Sequence, residues 1–344
     1  MSMEPLKIDG SYGEGGGQII RTAVTLSSIT GIPVEIENIR KGRGVPGLRP
    51  QHLTGIKILA KICNAKVEGL HIGSTALRFF PSKISNAILE ENVGTAGSIP
   101  LILQILIPAV AISKKELTMS IIGGTDVTWS PTSNYTKFVL QEAYSRIGIN
   151  FSMDVKKRGY YPKGGGLVDV QVLPCEKIKP VSLLKRTAKK ANILGSYSII
   201  SKESIEKEIH EARKILESKG LSCNYELKKE DALDKGCSLL AFAHDDASIT
   251  GSDAIYSNVN GIGQIVADRF LESDLGVDHF LSDMLVVPLA LASDTSIFRV
   301  KKITKHLETN LFVTSKITNC KYGIGKLDNG FEVRIKGNSD ARVQ

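Results

Sequence analysis

The chain has 344 residues, 42% of them hydrophobic, and a mean hydropathy near zero. That leaves room for one large or two ordinary domains with a substantial core, and no run approaches the roughly 18 uninterrupted apolar residues of a membrane span. A net charge of +8 favours an anionic partner such as nucleic acid, while the 6% aromatic content argues against extensive base stacking along a single strand.

The first residues carry no basic stretch followed by an apolar one, so no export signal is expected and the protein reads as cytoplasmic. Between Ile8 and Arg21 an acid, a glycine triplet, a glutamine and an arginine share one predicted strand-to-helix turn. Glycines let backbone N–H groups approach a ligand, and a helix N-terminus behind them favours a phosphate. Glu14 could hold a hard cation such as magnesium, and Arg21, seven residues on, is expected two helical turns later on the same face. A P-loop would need Lys and then Ser or Thr after Gly17, but Gln18 and Ile19 follow. A dinucleotide fingerprint would need a small residue at Gln18. The other reading is a flexible glycine turn with an exposed glutamate.

Further along, three segments share an apolar helix end, a polar turn and a strand. They run from Ala23 to Ile36, from Leu106 to Ile121 and from Val286 to Val300. The apolar run Ile99 to Ile112, interrupted by Pro100, Gln104 and Pro108, contains the second of these ends. A second helix follows in each unit (His52 to Cys63, Thr136 to Ile147, His306 to Ile317), closed by a turn around Asn64, Gly148 or Asn319. The first two of these helix ends lie 84 positions apart and the last two 170, a difference of 86. This spacing predicts three units of two helices on a small sheet, stacked around a pseudo-threefold axis, with a small domain inserted before the third. The large domain is then 1–183 with 273–344, and the insertion 184–272. Within the insertion, strands are expected at Asn192 to Leu194, Ser196 to Ile200 and Ser238 to His244. A charged helix is expected from Glu203 to Ser218, ending at Gly220, and an exit helix from Asn258 to Phe270. No catalytic constellation is visible there. Cys63, Cys175, Cys223, Cys237 and Cys320 form no C-x-x-C pair and read as buried free thiols.

Several stretches together carry a specific resemblance. They are Gly13 to Arg21, Asn38 to Arg43, Pro46 to Leu53, Gly94 to Ser98 with Gln104, Gly123 to Asp126, Gly159 to Gly166, and His306 to Asn310. The chain resembles the RNA 3′-terminal phosphate cyclases over residues 6 to about 175 and again from about 277. The resemblance implies an α+β fold of three repeats, each two helices on a four-stranded sheet. That architecture is similar to the C-terminal domain of translation initiation factor three and, more remotely, to enolpyruvyl transferases. It also implies a thioredoxin-like insertion. The implied reaction consumes ATP and turns an RNA 3′-phosphate end into a 2′,3′-cyclic phosphate through enzyme–AMP and RNA–AMP anhydride, releasing AMP and pyrophosphate.

By the same resemblance His306 is the nucleophile, suited to it as a neutral imidazole, and Glu14 holds Mg2+ or Mn2+. Arg21, Arg40, Arg43, Gln51, His52 and Gln104 bind ATP or phosphate. Pro131 and Phe280 flank the adenine, with Phe280 where relatives can carry a tyrosine, and Asp283 accepts from the nucleoside. His279 has no counterpart and reads as structural. Other readings are a non-catalytic cyclase-like protein of ribosome assembly, which would lack the histidine, an enolpyruvyl-transfer enzyme, and a basic RNA-binding module.

Overall fold

The computed structural model describes residues 4–256 and 261–341. Four four-stranded sheets carry the strands. The first contains β1 (Leu6–Asp9), β2 (Val34–Glu37), β3 (Lys66–Glu68) and β4 (Leu77–Phe80), in the order β1-β2-β4-β3. The second contains β5 (Ala87–Asn92), β6 (Leu117–Gly123), β7 (Phe151–Lys157) and β8 (Gly166–Val172), in the order β5-β6-β8-β7. In the third, β9 (Ser182–Leu183) pairs with β14 (Thr295–Val300), followed by β16 (Gly330–Lys336) and β15 (Lys321–Leu327). All three begin with a parallel pair and continue with two antiparallel ones.

Five helices pack on these sheets and on one another. They are α1 (Gly17–Thr30), α2 (Pro50–Ile62), α3 (Ile99–Ile112), α8 (His279–Leu289) and α9 (Lys305–Thr318). The segment after β6 is α4 (Ser133–Tyr135), a π-turn (Thr136–Leu140) and α5 (Gln141–Arg146), so it starts earlier than expected and is not one regular helix. Helix α1 packs on both α3 and α9 and is buried nearly all round. Its hydroxyls survive that burial by bonding carbonyls: Ser28 to Val24, Thr30 to Leu26 and Thr25 to Ile105. Capping sets the ends. Ser98, Asp278 and Thr304 accept from backbone N–H groups at the starts of α3, α8 and α9. The turns at Asn64, Gly148 and Asn319 are all left-handed, as Asn and Gly allow.

The fourth sheet, in the order β11-β10-β12-β13, holds β10 (Lys190–Ser198), β11 (Ser222–Lys229), β12 (Gly236–Asp245) and β13 (Ser248–Ile255). Helices α6 (Lys202–Ser218) and α7 (Ile262–Glu272) cover one face and close a second apolar cluster that includes Ile193, Ile209, Leu239 and Phe270. Strand β12 is buried on both faces: Leu239 and Ala241 enter this cluster, while Leu240 and Phe242 enter the main core. A continuous apolar run is what such a two-sided strand requires.

Several expectations are corrected here. Gly195 does not break the first strand of this region, because β10 runs through it in register with both neighbours. Strands β11 and β13 escaped the sequence reading; β11 is an edge strand of mostly polar residues without an apolar run. The exit helix starts at Ile262 rather than Asn258, and residues 257–260 lie outside the described residues. All five cysteines are free, and Cys223 is half-buried rather than buried. No helix among the described residues is long and apolar enough to cross a membrane.

Candidate active site

The glycine-rich loop leaves β1 through a turn held by Asp9, whose carboxylate accepts from the Ser11 N–H at 2.9 Å and the Ser11 hydroxyl at 2.8 Å. Those bonds hold the Asp9 carboxyl below its ordinary range. Gly13 and Gly15 are left-handed, and a Cβ at Gly13 would collide with the Thr309 hydroxyl. Helix α1 begins only at Gly17, so the expected two-turn helical spacing from Glu14 to Arg21 does not exist; Glu14 lies on the loop. The helix opens with Gly16 at its N-cap, no side-chain cap and no acid in its first turn. Its first N–H groups are therefore suited to an anion. A Cβ at Gly17 would collide with His52 Nε2, so the loop, α1 and α2 meet at a point only glycine can fill.

Glu14 folds back over this loop. Its backbone N–H donates to Thr309 Oγ1 at 3.1 Å, tying the loop to α9. Its carboxylate pairs with Arg43 and lies 3.8 Å from His306 Nε2, while Oε2 is buried without a hydrogen-bond partner. His306 stands in the first turn of α9 with 45% of its side chain exposed. Burial, then the charges of Arg21 and Arg43, hold its pKa below the ordinary histidine value. The ring is neutral at pH 7, so its approach to Glu14 is not an ion pair in that state.

The surrounding charge is positive. Arg21 is buried and pushed down to about 10, chiefly by loss of water and further by Arg40, against the opposing charge of Asp283. It donates to the Gln18 side-chain oxygen, but its Nε has no partner. Arg40, left-handed in backbone, donates to the Val45 carbonyl at 3.3 Å and also leaves its Nε unpartnered. Its pKa is lowered by burial and by Arg49. His52 is buried, and its Nδ1 accepts from the Arg49 N–H at 3.1 Å, which places the ring proton on Nε2. Burial and the neighbouring arginines push it down to about 3, so it is a neutral donor.

A cavity of about 20 Å³, lined in part by Gln18, Arg21, Gln104 and Asp283, lies behind this group. Asp283 accepts from the Thr304 hydroxyl at 3.2 Å; burial pushes it up to about 8, so its carboxyl is protonated at neutral pH. Asn310 connects the parts, donating to the Asp283 carbonyl at 2.9 Å and accepting from Gln18 at 3.1 Å. Gln51 sits in the first turn of α2 against the 94–98 loop, where a Cβ on Gly97 would come within 3.4 Å of its own Cβ.

Pro131 and Phe280 lie on two segments that are both tied to β13. The Thr132 N–H, next to Pro131, donates to Asp253 at 2.7 Å. Asp278 caps α8 through the N–H groups of Phe280 and Leu281, and also accepts from Tyr135 OH at 2.8 Å and Gly251 N–H at 2.8 Å. Phe280 packs edge-on to Tyr135 with ring centres 6.1 Å apart. His279 lies against Phe280, 4.1 Å between ring centres, and is pushed down to about 4 by burial and then by the charges of Lys302, Arg269 and His306. Sequence reasoning passed over Gln18, Arg49, Thr309 and Asn310 as individual residues, although all lie inside the stretches that carried the resemblance. Asp253 gave no local signal, since the Thr132 N–H that it holds is distant in sequence, and Asp278 offered only the N-cap position before α8, not its bonds to Tyr135 and Gly251.

Among the described residues no group of three or more His, Cys, Asp or Glu could ligate a metal. A lone carboxylate still suits magnesium, which keeps several waters and takes the rest of its oxygens from substrate phosphates. Glu14 Oε2, buried without a hydrogen-bond partner, has the chemistry of such a ligand.

The arrangement can bind a polyanion, accept one hard cation and offer a neutral imidazole as nucleophile. Comparison with known proteins gives the family. The family model described as RNA 3′-terminal phosphate cyclase matches residues 12–324. The RNA 3′-terminal phosphate cyclase of Hyperthermus butylicus is 37% identical, covering 96% of this chain and 97% of its own. That of Thermococcus kodakarensis is 41% identical over 91% of this chain and 93% of its own, and that of Methanococcoides burtonii 37% identical over 96% and 100%. The chain belongs to the RNA 3′-terminal phosphate cyclase family, ligases that form phosphorus–oxygen bonds.

Proposed function

We propose that this protein converts RNA 3′-phosphate ends to 2′,3′-cyclic phosphates with ATP as co-substrate, through His306–AMP and an RNA–AMP anhydride. The observation that carries the reading is a neutral His306 beside Glu14, facing arginines whose Nε donors have no acceptor. An unprotonated ring nitrogen of His306 attacks the α-phosphorus of ATP; a P–N bond forms, the bond to pyrophosphate breaks and the pyrophosphate leaves. A 3′-phosphate oxygen of the RNA then takes the AMP, breaking P–N. Finally the vicinal 2′-hydroxyl attacks the 3′-phosphorus, AMP leaves and the hydroxyl proton passes to solvent. That hydroxyl is already held close, so closure gains from intramolecular proximity.

Arg21, Arg40 and Arg43, with Gln51, His52 and Gln104, receive phosphate oxygens. Pro131, Phe280 and Asp283 receive the adenosine, Asp283 in a protonated state that lets it donate as well as accept. Glu14 would hold Mg2+ or Mn2+, which would supply positive charge against the phosphates. The shared strand order of the first three sheets supports three repeats about a pseudo-threefold axis. The separate apolar cluster supports an insertion over 184–272 within a large domain of 1–183 and 273–344.

Incubation with α-labelled ATP and magnesium tests the reading. The protein should acquire AMP through an acid-labile, alkali-stable bond, and His306→Ala should fold yet acquire none. RNA ending in a 2′-deoxynucleotide 3′-phosphate should accept AMP and stall as the anhydride. Turnover of RNA ending in a 3′-hydroxyl, or cyclisation without ATP, would be incompatible with this mechanism.

A further inference from the structure

Two aromatic side chains stand out by their exposure. Trp129, the only tryptophan of the chain, is 98% exposed, and Tyr161 is 77% exposed; the other exposed aromatics, Tyr12, Tyr225, Tyr256 and Tyr322, all fall below half. A tryptophan usually buries most of its surface. Trp129 also has φ +65°, a conformation that bulky residues avoid, so the chain holds it outward at a cost.

Both sit on well-anchored loops that flank one segment. The loop carrying Trp129 is closed at its base by two bonds from Ser133, its N–H and its hydroxyl, to the Thr125 carbonyl, each 3.0 Å. Thr132 is fixed by Asp253, and Ser130 Oγ is 2.7 Å from Ser98 Oγ. The loop carrying Tyr161 closes through Gly164 N–H to the Tyr160 carbonyl at 2.8 Å. Gly164 in turn packs so closely on Thr95 and Ala96 that a Cβ there would collide with their backbone. The loops carrying Trp129 and Tyr161 therefore both touch the 94–98 loop, through Ser130 and Gly164, and Gly97 of that loop lies against Gln51 at the start of α2. Rigid loops presenting uncovered π-faces at the rim of a phosphate site are suited to unpaired nucleobases, which stack on aromatic rings regardless of sequence.

We propose that Trp129 and Tyr161 form a stacking rim for nucleobases next to the RNA 3′-phosphate, holding the strand while its end reaches His306. The inference rests on the cyclase reading above for the identity of the strand. It requires single-stranded ends and little base preference, and it gives ATP no part in the contact.

Because Trp129 is the sole tryptophan, its fluorescence reports the contact directly. A short single-stranded RNA with a 3′-phosphate should quench it, whereas ATP alone should not. The same RNA with abasic sites at its last three positions should quench weakly and bind less tightly. Trp129→Ala and Tyr161→Ala should each raise the KM for RNA roughly 5- to 100-fold, the range expected for one lost base stack. The kcat, the KM for ATP and RNA-independent AMP attachment should stay unchanged. Trp129→Phe should recover most of the loss. Quenching by ATP rather than RNA, equal binding of abasic RNA, or an unchanged RNA KM in both alanine variants would overturn the rim. Failure of the parent protein to acquire AMP would instead overturn the cyclase reading, since that step involves neither aromatic residue.

Discussion

Two buried arginines in this protein have opposite surroundings. Arg158, between the second sheet and the fourth, bonds Asp126 at 2.9 Å, Glu230 at 2.8 Å, Asn134 at 2.7 Å and Ser196 at 3.0 Å. Burial alone would lower its pKa, but the two carboxylates outweigh that and hold it above the ordinary value. Arg21 is also buried but hydrogen-bonds no carboxylate; it has one unpartnered nitrogen, and despite the nearby Asp283 its pKa is pushed down to about 10. The first is a joint; the second is a cation waiting for an anion. A buried charge left unpaired persists where a ligand completes it, and in the proposed reaction that ligand is a phosphate.

Removing each arginine should separate the two roles. Arg158→Ala strands Asp126 in the interior and leaves half-buried Glu230 unpaired, and should cost about 3–5 kcal/mol of stability, read from denaturant unfolding. Arg21→Ala should slow AMP attachment by about 10²- to 10³-fold, the scale of losing one preorganised donor to a transition state. Its melting temperature should not fall, because an unpaired charge has left the interior. If Arg21→Ala instead unfolds like Arg158→Ala, the contrast is lost.

The pH profile sharpens the same comparison. His306 is held below its ordinary pKa, so the nucleophilic neutral form persists into mildly acidic solution. The acidic decline of AMP attachment should therefore lie at lower pH than an ordinary histidine would give. Arg43→Gln removes one of the charges that lower the His306 pKa and should move the decline to higher pH, measured by single-turnover labelling.

The smallest effect is expected at Asp253. Burial raises its pKa to about 6 against the opposing bonds from Thr132, so between about pH 4 and pH 6 the folded state binds more protons than the unfolded one. Stability from this group is thus greatest at low pH and is lost as pH rises through 6. Asp253→Asn keeps an acceptor for the Thr132 N–H and should flatten that slope, read from denaturant unfolding between about pH 4 and pH 7. A steeper slope in the variant would show that Asp253 is ionised in the folded protein. Asp278 offers no such simple replacement, because it accepts from Tyr135, Gly251, Phe280 and Leu281 together.

Much of the site is local and therefore legible in sequence. The glycine loop, the start of α2 at Pro50 and the start of α9 before His306 each lie within a short stretch whose caps and turns act over a few residues. The resemblance extended that reading to the reaction, and the helix ends at Asn64, Gly148 and Asn319 followed from residues that tolerate a left-handed backbone. The edge strand β11 and the continuity of β10 through Gly195 were not legible, because pairing with neighbours decides them and no apolar pattern announces it.

By itself the sequence determined the chemistry on offer: an acid, a set of arginines, glycines that bare the backbone, and a histidine at a helix start. Only the tertiary structure decided the state of those groups. Neutral His306, neutral His52, protonated Asp283 and unpaired Arg21 all follow from burial and from charges as near in sequence as Arg49 to His52 and as far as Arg21 from His306. Protonation is set by the free energy of a charge in its final surroundings, and those surroundings exist only after the chain has folded.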